Sequence, residues 1–270
     1  MLDRATDRLS ASDVASPRVD AELLLSHVLG VPRPRLVMID TVHPSAVRAL
    51  DRLLERRAKR EPLQHILGRA PFRHIQLAVG PGVFVPRPET ELLADALLPA
   101  LSVESLAVDL CAGSGALGLA LADELPGLRV VAVEFSPEAL GWLRRNADGT
   151  SVEVREGDVT DSGLLCELRG QVDAVGCNPP YVPADTEVAA EVRFDPDRAV
   201  FAGEDGLALI PHVVARAAEL LRPGGLLALE HDDTHAAAVP ELLDKDDRWR
   251  AIGEHLDLAG RPRYTTAVRV

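Results

Sequence analysis

Cysteine is scarce in this 270-residue chain: Cys111, Cys166 and Cys177 are the only three, and they lie far apart. Their spacing forms neither a zinc-ligand pattern nor a disulfide framework, which leaves them as small packing residues. Positive charge is also in deficit. The formal net charge of −13 excludes broad attraction to a phosphate backbone, although a local basic patch is compatible with it. No apolar run approaches the length of a membrane span, and the N-terminus lacks the basic-then-apolar layout of a secretion signal. The expected compartment is the cytoplasm. No internal repeat or low-complexity tract appears beyond short Ala-rich segments. What remains, at 47% hydrophobic and 26% charged, reads as a soluble globular chain with one sizeable domain and a smaller one.

The average charge hides an asymmetry. Residues 1–70 carry 12 Lys+Arg against 9 Asp+Glu, whereas residues 71–270 carry 17 against 33. A basic surface on the first segment would suit an acidic partner, while any single cluster, such as Arg56-Arg57-Ala58-Lys59-Arg60, reads more simply as a solvated helix face.

Ser16-Pro17, the run to Leu29 and then Gly30 give a helix with cap, first-turn proline and terminating glycine, its stripe formed by Ala21, Leu24, Leu25 and Val28. Residues 45–60 repeat the pattern, with Ser45 as the cap and Val47, Leu50 and Leu54 inward. A helical domain over residues 1–70 follows. From Pro71 the period changes, and Phe72, Ile75, Leu77 and Val79, then Val83, Phe84 and Val85, alternate around Gly80-Pro81-Gly82. That pattern predicts a β-hairpin linker over 71–87, with a second, larger domain at 88–270.

Leu106 to Leu110 reads as a buried strand, followed by Cys111-Ala112-Gly113-Ser114-Gly115 and a helix from Ala116 to Glu124. Strand, tight glycine turn and helix form the first unit of a nucleotide-binding α/β sheet. The next strand ends in Glu134, where a carboxylate can accept both hydroxyls of a ribose. A third strand ends before Asp158 and Val159, a carboxylate and an amide able to meet an adenine; the plainer role for Asp158 is a turn cap.

A fourth strand, Val172 to Cys177, runs into Asn178-Pro179-Pro180-Tyr181. Two prolines fix two φ angles and stiffen the loop. A stiff loop can hold the Asn178 side-chain carbonyl and the Pro179 main-chain carbonyl as two acceptors, with Tyr181 as a flat wall. Such a site suits a planar NH2 group. Alone, the tetrapeptide is equally well read as a proline-rich turn with a core aromatic. Further on, a helix is expected over Gly206 to Leu221, a turn at Arg222-Pro223-Gly224-Gly225, and a strand from Leu226 to Glu230. His231-Asp232-Asp233 with His235 reads as a polar strand end and helix cap, and no metal site is expected.

Asp109-Leu110-Cys111-Ala112-Gly113-Ser114-Gly115, Glu134 and Asn178-Pro179-Pro180-Tyr181 together resemble class I S-adenosylmethionine-dependent methyltransferases that modify amino nitrogens. Pro62-Leu63-Gln64-His65-Ile66-Leu67-Gly68, the stretch from Phe84 to Glu91 containing Pro86-Arg87-Pro88-Glu89-Thr90-Glu91, Asp205-Gly206-Leu207 and Gly260-Arg261-Pro262-Arg263 narrow the resemblance. They are similar to segments of the peptide-chain release factor N5-glutamine methyltransferases. The resemblance implies a Rossmann-like α/β fold with a mostly parallel seven-stranded sheet and an N-terminal helical substrate-recognition domain. It implies methyl transfer from S-adenosylmethionine, leaving S-adenosylhomocysteine, to the glutamine amide N5 of a Gly-Gly-Gln tripeptide in class I release factors, and so a role in translation termination.

By the same resemblance, Cys111, Ala112, Gly113, Ser114 and Gly115 wrap the methionine part, Glu134 holds the ribose, and Asp158 and Val159 flank the adenine. Asn178, Pro179, Pro180 and Tyr181 clamp the substrate amide, and Asn178 borders the cofactor. Cys111-Ala112 replaces a more usual Gly-Thr, Asp195-Pro196 stands for Glu-Pro, and Glu230-His231-Asp232-Asp233 departs from an apolar and glycine continuation; the last two are not expected to touch the chemistry. Two other functions fit parts of the pattern. A nucleobase amino-methyltransferase acting on DNA or RNA could use the same tetrapeptide, though the acidic sheet domain argues against stable nucleic-acid binding. A non-catalytic nucleotide-binding module would leave the Asn178 loop incidental.

Overall fold

Pro17 starts a helix because its missing N–H is not needed in the first turn, and Gly30 ends it with φ +65°. In the computed structural model, which describes residues 1–270, this helix belongs to a compact unit of Met1–Arg69 together with the later segment Val188–Phe194. The unit holds α1 (Leu2–Ser10), α2 (Pro17–Leu29), a 3-10 turn (Arg33–Met38), α3 (Pro44–Ala58) and α4 (Leu63–Leu67). Leu9, Leu24, Leu50, Leu54 and Ile66 are buried in its core. The cap of α3 is His43, whose Nδ1 accepts from the Ser45 amide, rather than Ser45; Pro44 takes the first helical position. Buried Arg57 on α3 donates to Asp20 of α2 at 2.7 Å and to Glu191 at 2.9 Å, and Arg60 grips the same Glu191. Burial would raise the Glu191 pKa, but hydrogen bonds from Arg60 and Arg57 win and lower it to about 2.

The second unit, Ala70–Glu187 and Asp195–Val270, carries the sheet. A hairpin of β1 (Arg69–Phe72) and β2 (Ile75–Ala78) comes first, then α5 (Glu91–Leu97), β3 (Leu106–Leu110), α6 (Ala116–Glu124), β4 (Arg129–Glu134), α7 (Pro137–Ala147), β5 (Val152–Glu156) and β6 (Val172–Cys177). After these come α8 (Asp197–Val200), α9 (Ile210–Leu220), β7 (Leu221–Glu230), α10 (Ala238–Asp244), β8 (Trp249–Leu256) and β9 (Pro262–Arg269). The seven-stranded sheet has the order β5-β4-β3-β6-β7-β9-β8, parallel except for the antiparallel pairs of β9 with β7 and β8. Period-2 alternation sorts the side chains. Ala107, Val130, Ala132 and Ala174 face Leu93, Leu117 and Leu140 of α5, α6 and α7, while Val108, Val131, Val175 and Leu227 face Val213, Ala217 and Val239 of α9 and α10.

Three expectations need correction. The hairpin turns at Arg73, with φ +47°, not at Gly80-Pro81-Gly82. Val79, Val83 and Val85 alternate because they are buried, not because they pair in a ladder: the Val85 amide is taken by the Asp195 carboxylate. Helix α9 begins at Ile210, with Pro211 in its first turn; Gly206 at φ +76° is incompatible with a helix. Finally, Arg222 to Gly225 form a bulge inside β7, between Leu221, which pairs with Val172, and Leu226, which pairs with Ala174.

The end of the hairpin is tied down from α7. Asn146 accepts from the Ala78 amide and donates to the carbonyls of both Ala78 and Ser114, so one side chain joins β2 to the glycine turn after β3.

Candidate active site

Parallel register aligns the strand tips. Leu110 lies opposite Val133 on one side and Cys177 on the other, Glu134 opposite Glu156, and Cys177 opposite Leu229. The loops after β3, β4, β5 and β6 therefore leave one edge side by side. Strands β4 and β6 sit on opposite sides of β3, so the strand order reverses there and a crevice opens at that edge. A cavity of about 290 Å³ occupies it, lined by Cys111, Glu134, Asp158, Asn178 and their neighbours.

At one end the chain makes a tight turn. Cys111 (φ +60°), Gly113 (φ +57°) and Gly115 (φ +89°) are all left-handed, and a Cβ on Gly115 would lie 2.6 Å from Leu143. Cys111 adopts the conformation that glycine favours, at roughly 1–2 kcal/mol. Glu134 braces the turn: Oε2 accepts from the Gly113 amide at 2.7 Å, and Oε1 accepts from the amides of Phe135 and Ser136. Oε2, which accepts only one of these bonds, keeps lone-pair capacity for a hydroxyl. Buried Asp109 accepts from the Gly118 amide of α6, and burial raises its pKa to about 7. Asp158 caps its own turn through Oδ1, accepting from the Thr160 amide and hydroxyl, which leaves Oδ2 uncommitted. Carboxylates at two neighbouring tips, with Val83, Leu117, Val133 and Val159 as apolar walls, fit a nucleoside with vicinal hydroxyls and a flat ring.

At the other end stands the tetrapeptide. Asn178 Nδ2 donates to the Thr90 hydroxyl oxygen at 2.9 Å, so Oδ1 is the amide atom left for a ligand. No protein donor reaches the Pro179 carbonyl. The Tyr181 hydroxyl donates to Glu230 Oε1 at 2.9 Å, and burial with the neighbouring carboxylate raises its pKa. Glu230, 1% exposed, closes the parallel strand β7; burial raises its carboxyl to about 7, against the pull of Thr90, Tyr181 and Arg263. Behind the loop, a Cβ on Gly206 would lie 2.2 Å from the Tyr181 carbonyl oxygen, so only glycine fits there. Val182 then pairs with Phe201 in an isolated bridge, which pins the exit of the loop.

Of the residues predicted from sequence, Cys111, Ala112, Gly113, Ser114, Glu134, Asp158, Val159, Asn178 and Pro180 line the cavity. Gly115, Pro179 and Tyr181 do not; Gly115 precedes α6, and the Tyr181 hydroxyl is turned to Glu230. Glu230 does not line the cavity either, but that same bond ties it to the tetrapeptide. Asp195 likewise braces the cavity wall, accepting from the Val85 amide and from Arg87. The polar strand end is as expected: Asp232 caps a 3-10 turn, His231 bonds Thr265, and His235 bonds the Asp205 carbonyl. Sequence reasoning missed Thr90, Asp109, Glu230 and Arg263. Thr90, Gly206 and Arg263 were visible as members of family-like segments without a role, and all three converge on the tetrapeptide.

The family model described as the PrmC N-terminal domain matches residues 1–68, and the methyltransferase small domain matches residues 75–194. The chain is 51% identical to the release factor glutamine methyltransferase of Mycolicibacterium smegmatis, over 100% of this chain and 96% of the relative. Identity is 48% to that of Streptomyces coelicolor, over 98% and 95%, and 41% to that of Deinococcus radiodurans, over 100% and 97%. Among solved structures, the 16S rRNA N2 methyltransferase RsmC of T. thermophilus, in complex with AdoMet and guanosine, aligns at TM-score 0.53 and 24% identity, over 75% of this chain and 50% of that one. A methyltransferase from Pyrococcus furiosus aligns at TM-score 0.53 and 17% identity, over 72% and 87%. These two establish the sheet architecture. The full-length relatives go further, and the chain belongs to the release factor glutamine methyltransferase family.

Proposed function

We propose that this protein methylates the side-chain amide N5 of the glutamine in the Gly-Gly-Gln tripeptide of class I release factors, using S-adenosylmethionine. The observation that carries the reading is the pair of free acceptors at the tetrapeptide, Asn178 Oδ1 and the Pro179 carbonyl, next to a cavity with a nucleoside donor set. Glu134 would hold the ribose hydroxyls, Asp158 and Val159 the adenine, and the turn from Cys111 to Gly115 the methionine part. Bound S-adenosylmethionine supplies an electrophilic methyl carbon.

The residues of this chain contribute positioning. A carboxamide nitrogen is a poor nucleophile because its lone pair is delocalised into the carbonyl. Two acceptors on its N–H bonds favour developing positive charge at nitrogen and fix the plane of the group, so that the lone pair points at the reacting carbon. Orientation of this kind is worth up to about 7–11 kcal/mol of barrier. The prolines that flank the second acceptor keep the loop from relaxing.

We assign the helical unit of residues 1–70 to release-factor recognition and the protein to the cytoplasm; no helix is long and apolar enough to cross a membrane. Mass spectrometry of a release factor's Gly-Gly-Gln peptide after incubation with enzyme and cofactor tests the reading, with DNA and RNA as parallel substrates. A 14 Da gain on the glutamine is expected. Methyl transfer to nucleic acid alone would overturn it.

A further inference from the structure

The segment from Pro86 to Glu91 and the end of β7 meet at Asn178, where Thr90 also forms part of the cavity lining. Thr90, 5% exposed, uses its hydroxyl oxygen to accept from Asn178 Nδ2. A hydroxyl has a single hydrogen, and that hydrogen needs another acceptor. The Glu230 carboxylate faces Thr90, and its Oε2 is buried without a fixed hydrogen-bond partner. Oε1 is already committed to the Tyr181 hydroxyl.

We propose that Glu230, acting through Thr90, is the positioning residue that sets which end of the Asn178 carboxamide faces the substrate. This rests on the proposed amide-methylating function. An ionised carboxylate only accepts hydrogen bonds. With Glu230 ionised, donation runs one way: Asn178 Nδ2 to Thr90, Thr90 to Glu230, and Tyr181 to Glu230. Asn178 Oδ1 is then the only amide atom left for the ligand, and it is the acceptor that a substrate N–H requires. A protonated Glu230 brings a donor into the chain. It can donate to Thr90, which then donates onward, and Asn178 satisfies that bond by turning its oxygen to Thr90 and its NH2 to the substrate. Two N–H groups would then face each other.

The groups around Glu230 fit a carboxyl that can take either form. Glu89 opposes its ionisation, and Tyr181, Thr90 and Arg263 favour it; buried Cys177, next along β6, feels the same charge. No cation bonds Glu230 directly: Arg263 bonds Asp257. The carboxyl is raised by burial to about 7, so its proton comes on within the working range.

The test has two arms. In the kinetic arm, methylation of a Gly-Gly-Gln peptide is followed as kcat against pH. Wild type should lose activity on the acid side with a midpoint near 7. Thr90→Val, which keeps shape but not the hydroxyl, should lower kcat by up to about tenfold, the value of one net hydrogen bond, with cofactor affinity kept. Thr90→Ser should recover most of that loss. Glu230→Gln should lower kcat and flatten the acid limb. In the second arm, no substrate is needed: the side-chain amide signals of Asn178 in the NMR spectrum of the free enzyme should shift with the Glu230 titration and cease to do so in Glu230→Gln. Wild-type kcat in Thr90→Val, an unchanged acid limb in Glu230→Gln, or Asn178 signals insensitive to Glu230 would each overturn the proposal. Because the spectroscopic arm is independent of the peptide, its failure is distinct from failure of the proposed substrate.

Discussion

Acids held inside the fold, wholly or in part, are handled in opposite ways by the two units. In the helical unit, Asp20 and Glu191 are each met by an arginine, and Glu191 is held down to about 2. In the sheet unit, Asp109 and Glu230 are buried more deeply but hydrogen-bond to an amide and to hydroxyls, and both rise to about 7. The arginine cluster ties α2, α3 and Glu191 together and is fully neutralised, an arrangement suited to holding shape. The sheet unit keeps its acids poised between two protonation states at the edge where the cavity lies, as expected where charge has a task other than stability. A pairing cation at Glu230 would fix its charge and remove that sensitivity.

The largest expected effect is in the paired cluster. Arg57→Ala strands Asp20 and should destabilise the helical unit by about 3–5 kcal/mol, read as an earlier transition in calorimetry; a change below 1 kcal/mol would erase the contrast between the units. Next, Asn178→Ala removes one acceptor and should lower kcat by roughly 10²–10³-fold while cofactor affinity, measured by titration calorimetry, changes little. A wild-type rate would refute the clamp. Gly206→Ala puts a methyl against the Tyr181 carbonyl and should lower activity and melting temperature together, by about 1–3 kcal/mol of backbone strain.

The smallest effect is a divergence with pH. Glu191 is depressed in the folded state, so its contribution is present above the ordinary carboxylate value of 4.5 and lost as pH falls from there toward 2. Glu230 is raised, so its contribution is full below 4.5 and is lost as pH rises toward 7. Moving from pH 8 to pH 5 should therefore stabilise the sheet unit slightly and leave the helical unit unchanged, and below pH 4.5 the helical unit should weaken. Glu230→Gln should raise the melting temperature at pH 8; a drop would mean that the ionised carboxylate is net stabilising.

Much of the catalytic edge is legible in the sequence because parallel strands are apolar runs with polar ends. The run from Leu106 to Leu110, Glu134 and the Asn178 tetrapeptide each announce a strand tip, and short-range spacing is enough to place them. What pairs with what across the sheet is not local. Thr90 and Asn178 are 88 residues apart, and nothing in the spacing says that a hydroxyl after Pro-Arg-Pro-Glu will orient an amide. Glu230 reads as the last residue of a strand, and its partner Tyr181 is visible only when β7 is laid beside β6. The position of the hairpin is hidden for a different reason. Buried valines at 79, 83 and 85 imitate the period of a strand, while the Val83 amide closes a turn onto Gly80 and the Val85 amide goes to a side chain, and alternation alone cannot tell those cases apart.

Asn146 links the strand Ile75–Ala78 to the turn at Ser114 through three bonds from one amide group. Whatever tightens the turn therefore tightens the strand. Occupancy of the nucleoside cavity should be felt at Ala78 as slower exchange of its amide proton with solvent, and an isotope label placed there would report filling of the crevice without touching any residue that lines it.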